Sequence, residues 1–169
     1  DSTASYTDYC FTSANLDAKA AADYVAGLDA IDADKIAVMG WSQGGTNALF
    51  AAAAYPETFK AVVTWAGSVT DRSGEEFEAQ YETAKRDGYY VAEYDWREPQ
   101  HIGLRWYEEN MSFRKLDEVA KIEAPILAIQ GMNDTSVLPE NAEMIMENAK
   151  NEATRAYYIE GCDHTFNVF

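Results

Sequence analysis

Lys35-Ile-Ala-Val-Met-Gly-Trp-Ser-Gln-Gly-Gly45 is the stretch that decides the fold. Its first half is a short apolar run of the kind buried inside a parallel sheet. Its second half carries G-x-S-x-G from Gly40 to Gly44, and small residues continue as a helix, Gln43 to Ala54, until Pro56 closes it. A serine on so tight a strand-to-helix turn is forced into a strained backbone and holds its hydroxyl above the sheet. Glycines on either side remove the Cβ atoms that would collide there. The five-residue pattern alone is common by chance as an ordinary glycine turn; the strand before it and the helix after it give it weight.

Outward from this centre the same alternation continues. Asn15 to Leu28 is alanine-rich, with Leu16, Ala20, Tyr24 and Leu28 at helical spacing and Thr12 or Ser13 as the expected cap. Asp29 to Asp34 reads as a turn. Ala61 to Trp65, Pro125 to Gln130 and Arg155 to Ile159 are the further strands. A helix opened by Pro139 and Glu140 lies between the last two, with Ala142, Ile145, Met146 and Ala149 on one face. Strands alternating with helices predict an α/β fold: a parallel sheet of about four strands with helices on both faces.

Residues 68–121 break that rhythm. They are charged and aromatic, and a structureless loop of that length is implausible in a compact domain. The expected division is a core of residues 1–67 and 122–169, with 68–121 inserted as a small helical cap. Its aromatics, Trp96 and Trp106 among them, either line a pocket for a flat acyl group, together with Trp41 and Trp65, or build the cap's own core.

A serine hydroxyl is a poor nucleophile near neutral pH and needs a base. Only His101 and His164 exist. His101 falls inside the insertion and reads as structural. His164, in Gly161-Cys-Asp-His-Thr-Phe166, follows the last strand and is the candidate base. Asp134, in Gly131-Met-Asn-Asp134, follows the preceding strand and is the candidate acid; Asp163 and Glu160 are rivals by proximity alone. The order Ser42, Asp134, His164 distinguishes this arrangement from chain orders that begin with His or Asp. The Gln43 N–H, at a helix start, is the expected oxyanion donor.

Composition narrows the partners. The formal charge is −16, from 29 acidic and 13 basic residues spread along the chain, which argues against nucleic acid and anionic membranes as partners. No apolar run approaches the length of a membrane span. Cys10 and Cys162 show neither a disulfide framework nor a zinc spacing, and read as free thiols of a reducing, cytoplasmic compartment. No metal-ligand cluster and no phosphate loop is visible, so no cofactor is expected.

The runs Gly40 to Gly45, Gly131 to Asp134 and Gly161 to His164 together resemble the later part of an α/β-hydrolase. The resemblance is to dienelactone-hydrolase-like esterases, cinnamoyl and feruloyl esterases, and prolyl oligopeptidase catalytic domains. It implies that Ser42, Asp134 and His164 form a catalytic triad, that Gln43 supplies one oxyanion N–H, and that the substrate is a small-molecule carboxylic ester. A serine peptidase of the prolyl oligopeptidase kind and a non-catalytic ligand-binding protein on the same fold are the alternatives. It also implies earlier strands, a second oxyanion donor and a final helix that this sequence does not supply. The chain is therefore expected to be truncated at both ends, with a missing segment or another chain completing the sheet; Asp1-Ser-Thr3 resembles the end of a preceding turn.

Overall fold

The apolar run ahead of Ser42 forms β1 (Ala37–Trp41), and Gln43–Ala54 forms helix α2 directly after it; α1 (Phe11–Ala26) precedes both. The computed structural model describes residues 5–95 and 97–168. The expectations for Asp1–Thr3 and for Trp96 lie outside the described residues. After α2 come β2 (Ala61–Trp65), α3 (Glu75–Asp87), β3 (Tyr89–Ala92), β4 (Gln100–Gly103) and α4 (Leu104–Ser112). Then α5 (Lys115–Val119), β5 (Ile126–Gly131), α6 (Glu140–Asn148) and β6 (Arg155–Ile159) close the chain.

The chain divides into two units: Asn15–Thr70 with Lys115–Phe169, and Asp1–Ala14 with Asp71–Arg114. The first holds a parallel sheet in the order β1-β2-β5-β6. Every strand in it runs the same way, so the loops leaving the carboxyl ends of β1, β5 and β6 gather at one edge. Val62, Ile126, Ala128 and Gln130 point to the buried face, where α2 packs on β1 and β2 and α6 on β5 and β6. Side chains alternate along a strand, so the paired rows Met39-Val63-Leu127 and Trp41-Trp65-Ile129-Tyr157 share the other face. Met39 is 67% exposed and Tyr157 63% exposed there. Helices on both faces were expected; among the described residues this second face is open.

One local expectation also needs correction. Helix α1 starts before Thr12 and Ser13, which lie inside it. The Cys10 N–H donates to Ser13 Oγ (2.9 Å) and the Ser13 N–H to Cys10 Sγ (3.4 Å), while Glu109 Oε2 accepts from the Thr12 N–H (2.9 Å). The orphan donors of the first turn are thus satisfied by a thiol and a distant carboxylate. Both cysteines are free.

The second unit is not purely helical. Gly88, at φ 86°, stops α3 with a left-handed residue, and the aromatic and β-branched run Tyr89-Tyr-Val turns into a strand. It pairs antiparallel with β4. The N-terminal segment belongs here because Gly103 has no Cβ: one built there would stand 1.9 Å from Thr7 O. Phe77, Ala84, Trp106 and Tyr107 form this unit's own core. Burial pushes the Tyr107 hydroxyl up to about 12, with Tyr90 adding to the effect.

Candidate active site

Ser42 is at φ 54°, ψ −123°, a left-handed backbone in a residue that carries a Cβ. Such strain costs roughly 1–3 kcal/mol and persists only where the surroundings over-determine it. They do. The Ser42 N–H donates to Trp65 O (2.8 Å), and Ser42 O accepts from the N–H groups of Gly45 (2.8 Å) and Thr46 (3.2 Å). Gly40 is compulsory: a Cβ built there would lie 1.9 Å from Gly44 O. Gly45 admits close packing of the helix start, since its Cβ would meet Gly67 Cα and Thr64 Oγ1 at 2.9 Å. Gly44 differs from both, for nothing lies within 4 Å of a Cβ there. The collision argument therefore holds for Gly40 and Gly45 but not for Gly44.

The structure brings the three candidates together. His164 Nε2 lies 2.9 Å from Ser42 Oγ, and His164 Nδ1 lies 2.7 Å from Asp134 Oδ2. Asp134 is 2% exposed. Its Oδ1 accepts from the backbone N–H groups of Ser136 and Val137, both at 2.8 Å. With Asp134 acting as acceptor, Nδ1 carries the proton and Nε2 is left with its lone pair toward the serine hydroxyl. The Gln43 N–H belongs to the first turn of α2 and has no intrahelical carbonyl to reach. It remains the candidate oxyanion donor.

The acid and base loops are locked to each other. The Asn133 N–H donates to Cys162 O (2.8 Å) and the Met132 N–H to Ile159 O (3.1 Å). Gly131 leaves no gap: a Cβ there would stand 2.5 Å from Cys162 O and 2.7 Å from Asp163 O.

Asp163, the rival acid, has a different task. Its Oδ1 accepts from the Thr165 N–H (2.9 Å), the Thr165 hydroxyl (2.9 Å) and the Asn167 N–H (3.0 Å). The Asn167 N–H, then the Thr165 hydroxyl, hold its carboxyl below the usual range. It shapes the loop that presents His164.

The tryptophans part company. Trp41 Nε1 donates to His164 O (3.1 Å), and its ring lies 5.3 Å from the imidazole, tilted by 34°. Trp65 meets Phe166 edge-on at 4.9 Å. With Thr165 and Val168 these rings line an apolar hollow of about 270 Å³. Trp106, expected to line a pocket, is 8% exposed and packs edge-on to Tyr107 in the core of its own unit. Its indole is used for packing. His101 stacks on Tyr89 at 4.4 Å in that unit. Among the described residues, no three His, Cys, Asp or Glu side chains come together as metal ligands would, and no helix is long and apolar enough to cross a membrane.

Gln130 escaped the sequence reading. It ends the apolar run of β5 at 2% exposure. Its Nε2 donates toward Val137 O (2.9 Å), Asp134 Oδ2 (3.2 Å) and Gly131 O (3.3 Å). All three partners are acceptors, which fixes the amide orientation. Each buried acceptor stripped of its donor would cost about 1–3 kcal/mol. A glutamine closing a buried strand, where only apolar residues are expected, is the signal that marks it.

The family model described as "Prolyl oligopeptidase family" matches residues 13–166. The human serine hydrolase BPHL is 26% identical over 151 residues, covering 79% of this chain and 50% of that protein. Est1E from Butyrivibrio proteoclasticus is 22% identical with a TM-score of 0.70, over 95% of this chain and 64% of its own; a second structure of it holds ferulic acid. The Paleococcus ferrophilus monoacylglycerol lipase gives 16% identity and a TM-score of 0.73, over 92% of this chain and 67% of its own. These structures share the parallel sheet and flanking helices of the α/β-hydrolase fold. The chain spans about half the length of the human relative and under two thirds of Est1E.

Proposed function

The chain belongs to the prolyl oligopeptidase family, and from that premise we propose that it cleaves carboxylic esters through an acyl-enzyme, with aryl acyl groups of the cinnamoyl or feruloyl kind as substrates. One observation carries this reading: a strained, half-buried serine turn with Nε2 of His164 at 2.9 Å from its oxygen and Asp134 at 2.7 Å behind the imidazole.

Ser42 Oγ attacks the ester carbonyl while His164 Nε2 takes its proton. Asp134 keeps the imidazole in the required tautomer and offsets the imidazolium charge. The Gln43 N–H meets the developing oxyanion, a donor worth about 3 kcal/mol in the transition state. The proton then passes to the departing alcohol, and water, activated by the same imidazole, releases the acid. Two aromatic surfaces near the base, Trp41 and Trp65, support a flat acyl group. The ferulic acid held by Est1E is consistent with that choice.

The family description favours a second reading, a peptidase acting on prolyl bonds. A fluorophosphonate probe and two chromogenic substrates separate the possibilities. Ester hydrolysis predicts labelling at Ser42, abolished in Ser42→Ala, and rapid release of 4-nitrophenol from an aryl or short acyl ester. Faster release of an aniline from a proline anilide would transfer the assignment to the peptidase. A whole protein that neither labels nor turns over either substrate would leave only ligand binding.

A further inference from the structure

The side-chain amide of Gln130 is bound to the same carboxylate oxygen that receives the imidazole. Asp134 Oδ1 is held by two backbone N–H groups, from Ser136 and Val137. Oδ2 has two donors, His164 Nδ1 at 2.7 Å and Gln130 Nε2 at 3.2 Å. The same Nε2 reaches Val137 O at 2.9 Å, tying the far end of the acid turn back to β5. We infer that Gln130 is a positioning residue of this site, one that fixes Oδ2 in the plane of the imidazole and shares its negative charge. The inference rests on the reading of Asp134 and His164 as acid and base.

Two effects follow from the chemistry. A carboxylate held by three donors besides the imidazole cannot rotate about its last torsion without breaking bonds in a dry interior. A donor on Oδ2 also drains charge from it, so the carboxylate stabilises the imidazolium less strongly than a bare one would. Gln130 therefore keeps the base aimed and tempers the charge that Asp134 presents to it. Other titratable groups on the surrounding elements are Glu160, Cys162 and Asp163 on the base loop, Tyr158 opposite Gln130 on β6 with Arg155 and Tyr157 beside it, and Glu140, Glu143 and Glu147 on α6. They are unchanged in the variants below.

The test compares wild type with Gln130→Met, which keeps the volume and removes the donor. The probe is a fluorophosphonate, and ¹⁵N spectra follow the His164 imidazole across pH. In Gln130→Met the imidazole midpoint should rise by about half a pH unit or more. The labelling rate at pH 7 should fall about tenfold or more, as misaimed groups react slowly. If this variant does not fold, Gln130→Asn, which keeps an amide one carbon short of Oδ2, takes its place under the same criteria. A folded variant with a lower melting temperature but an unchanged imidazole midpoint and labelling rate would overturn the inference and leave Gln130 a purely structural residue. A wild type that takes up no probe, with the midpoint still shifted in the variant, would sink the hydrolase reading and keep the positioning role.

Discussion

The serine turn and the pair of loops that face it reach the same accuracy by different means. Around Ser42 the backbone does the holding: a left-handed serine, a glycine with no room for a Cβ, and a helix that starts at once. Around Asp134 and His164 the side chains do it. Asp134 caps its own turn, Asp163 caps the next loop, and Gln130 ties the acid turn to the sheet. One region is specified by what must be absent, the other by polar partners that must be present. The first therefore fails by steric clash and the second by lost hydrogen bonds.

The largest effect should come from the polar side of this contrast. Asp134→Asn retains the shape but offers an amide where the imidazole N–H needs an acceptor, so turnover should drop by about 10⁴-fold. Its thermal melt should stay close to wild type. A variant within tenfold of wild type in kcat would remove Asp134 from the acid role.

The steric side is sharpened by two glycines four residues apart. Gly40→Ala places a methyl group against backbone and should destabilise the fold by about 3 kcal/mol, read as a shift in the urea midpoint. Gly44→Ala meets open space inside a helix, and should be neutral or stabilising by up to about 1 kcal/mol. Equal losses at both positions would contradict the idea that room at Gly40 builds the turn.

The smallest effect concerns Asp163. Its carboxyl is held below the ordinary value, so its bonds to the Thr165 and Asn167 amides persist above that value and are lost as pH falls through the depressed one. The amide proton shifts of those two residues should titrate with a midpoint below about 3.9. A midpoint at or above that figure would mean the loop is shaped without this carboxylate.

The same contrast explains what could be read in advance. Gly40, Ser42 and the small residues after them have no chemical substitute at that spacing, so the turn and its order relative to Asp134 and His164 stand out in the chain. Gln130 does not, because its partner Val137 lies beyond a turn whose closure no local pattern announces. Trp41, expected at the substrate, also bonds the base loop, a tie the sequence did not announce because strand pairing decides which neighbour an indole meets. The β3–β4 hairpin was hidden by surrounding charge, although Gly88 followed by Tyr-Tyr-Val carries its signal. Open or covered, a sheet face depends on chain that packs from elsewhere, so Met39 and Tyr157 gave no warning of exposure.

The indole of Trp41, resting 5.3 Å from the imidazole, also makes the site visible to light. An imidazolium quenches an excited indole through electron transfer far more strongly than a neutral ring does. Each proton gained or lost at His164 is thus written into the emission of a chromophore the chain already carries, with no label attached.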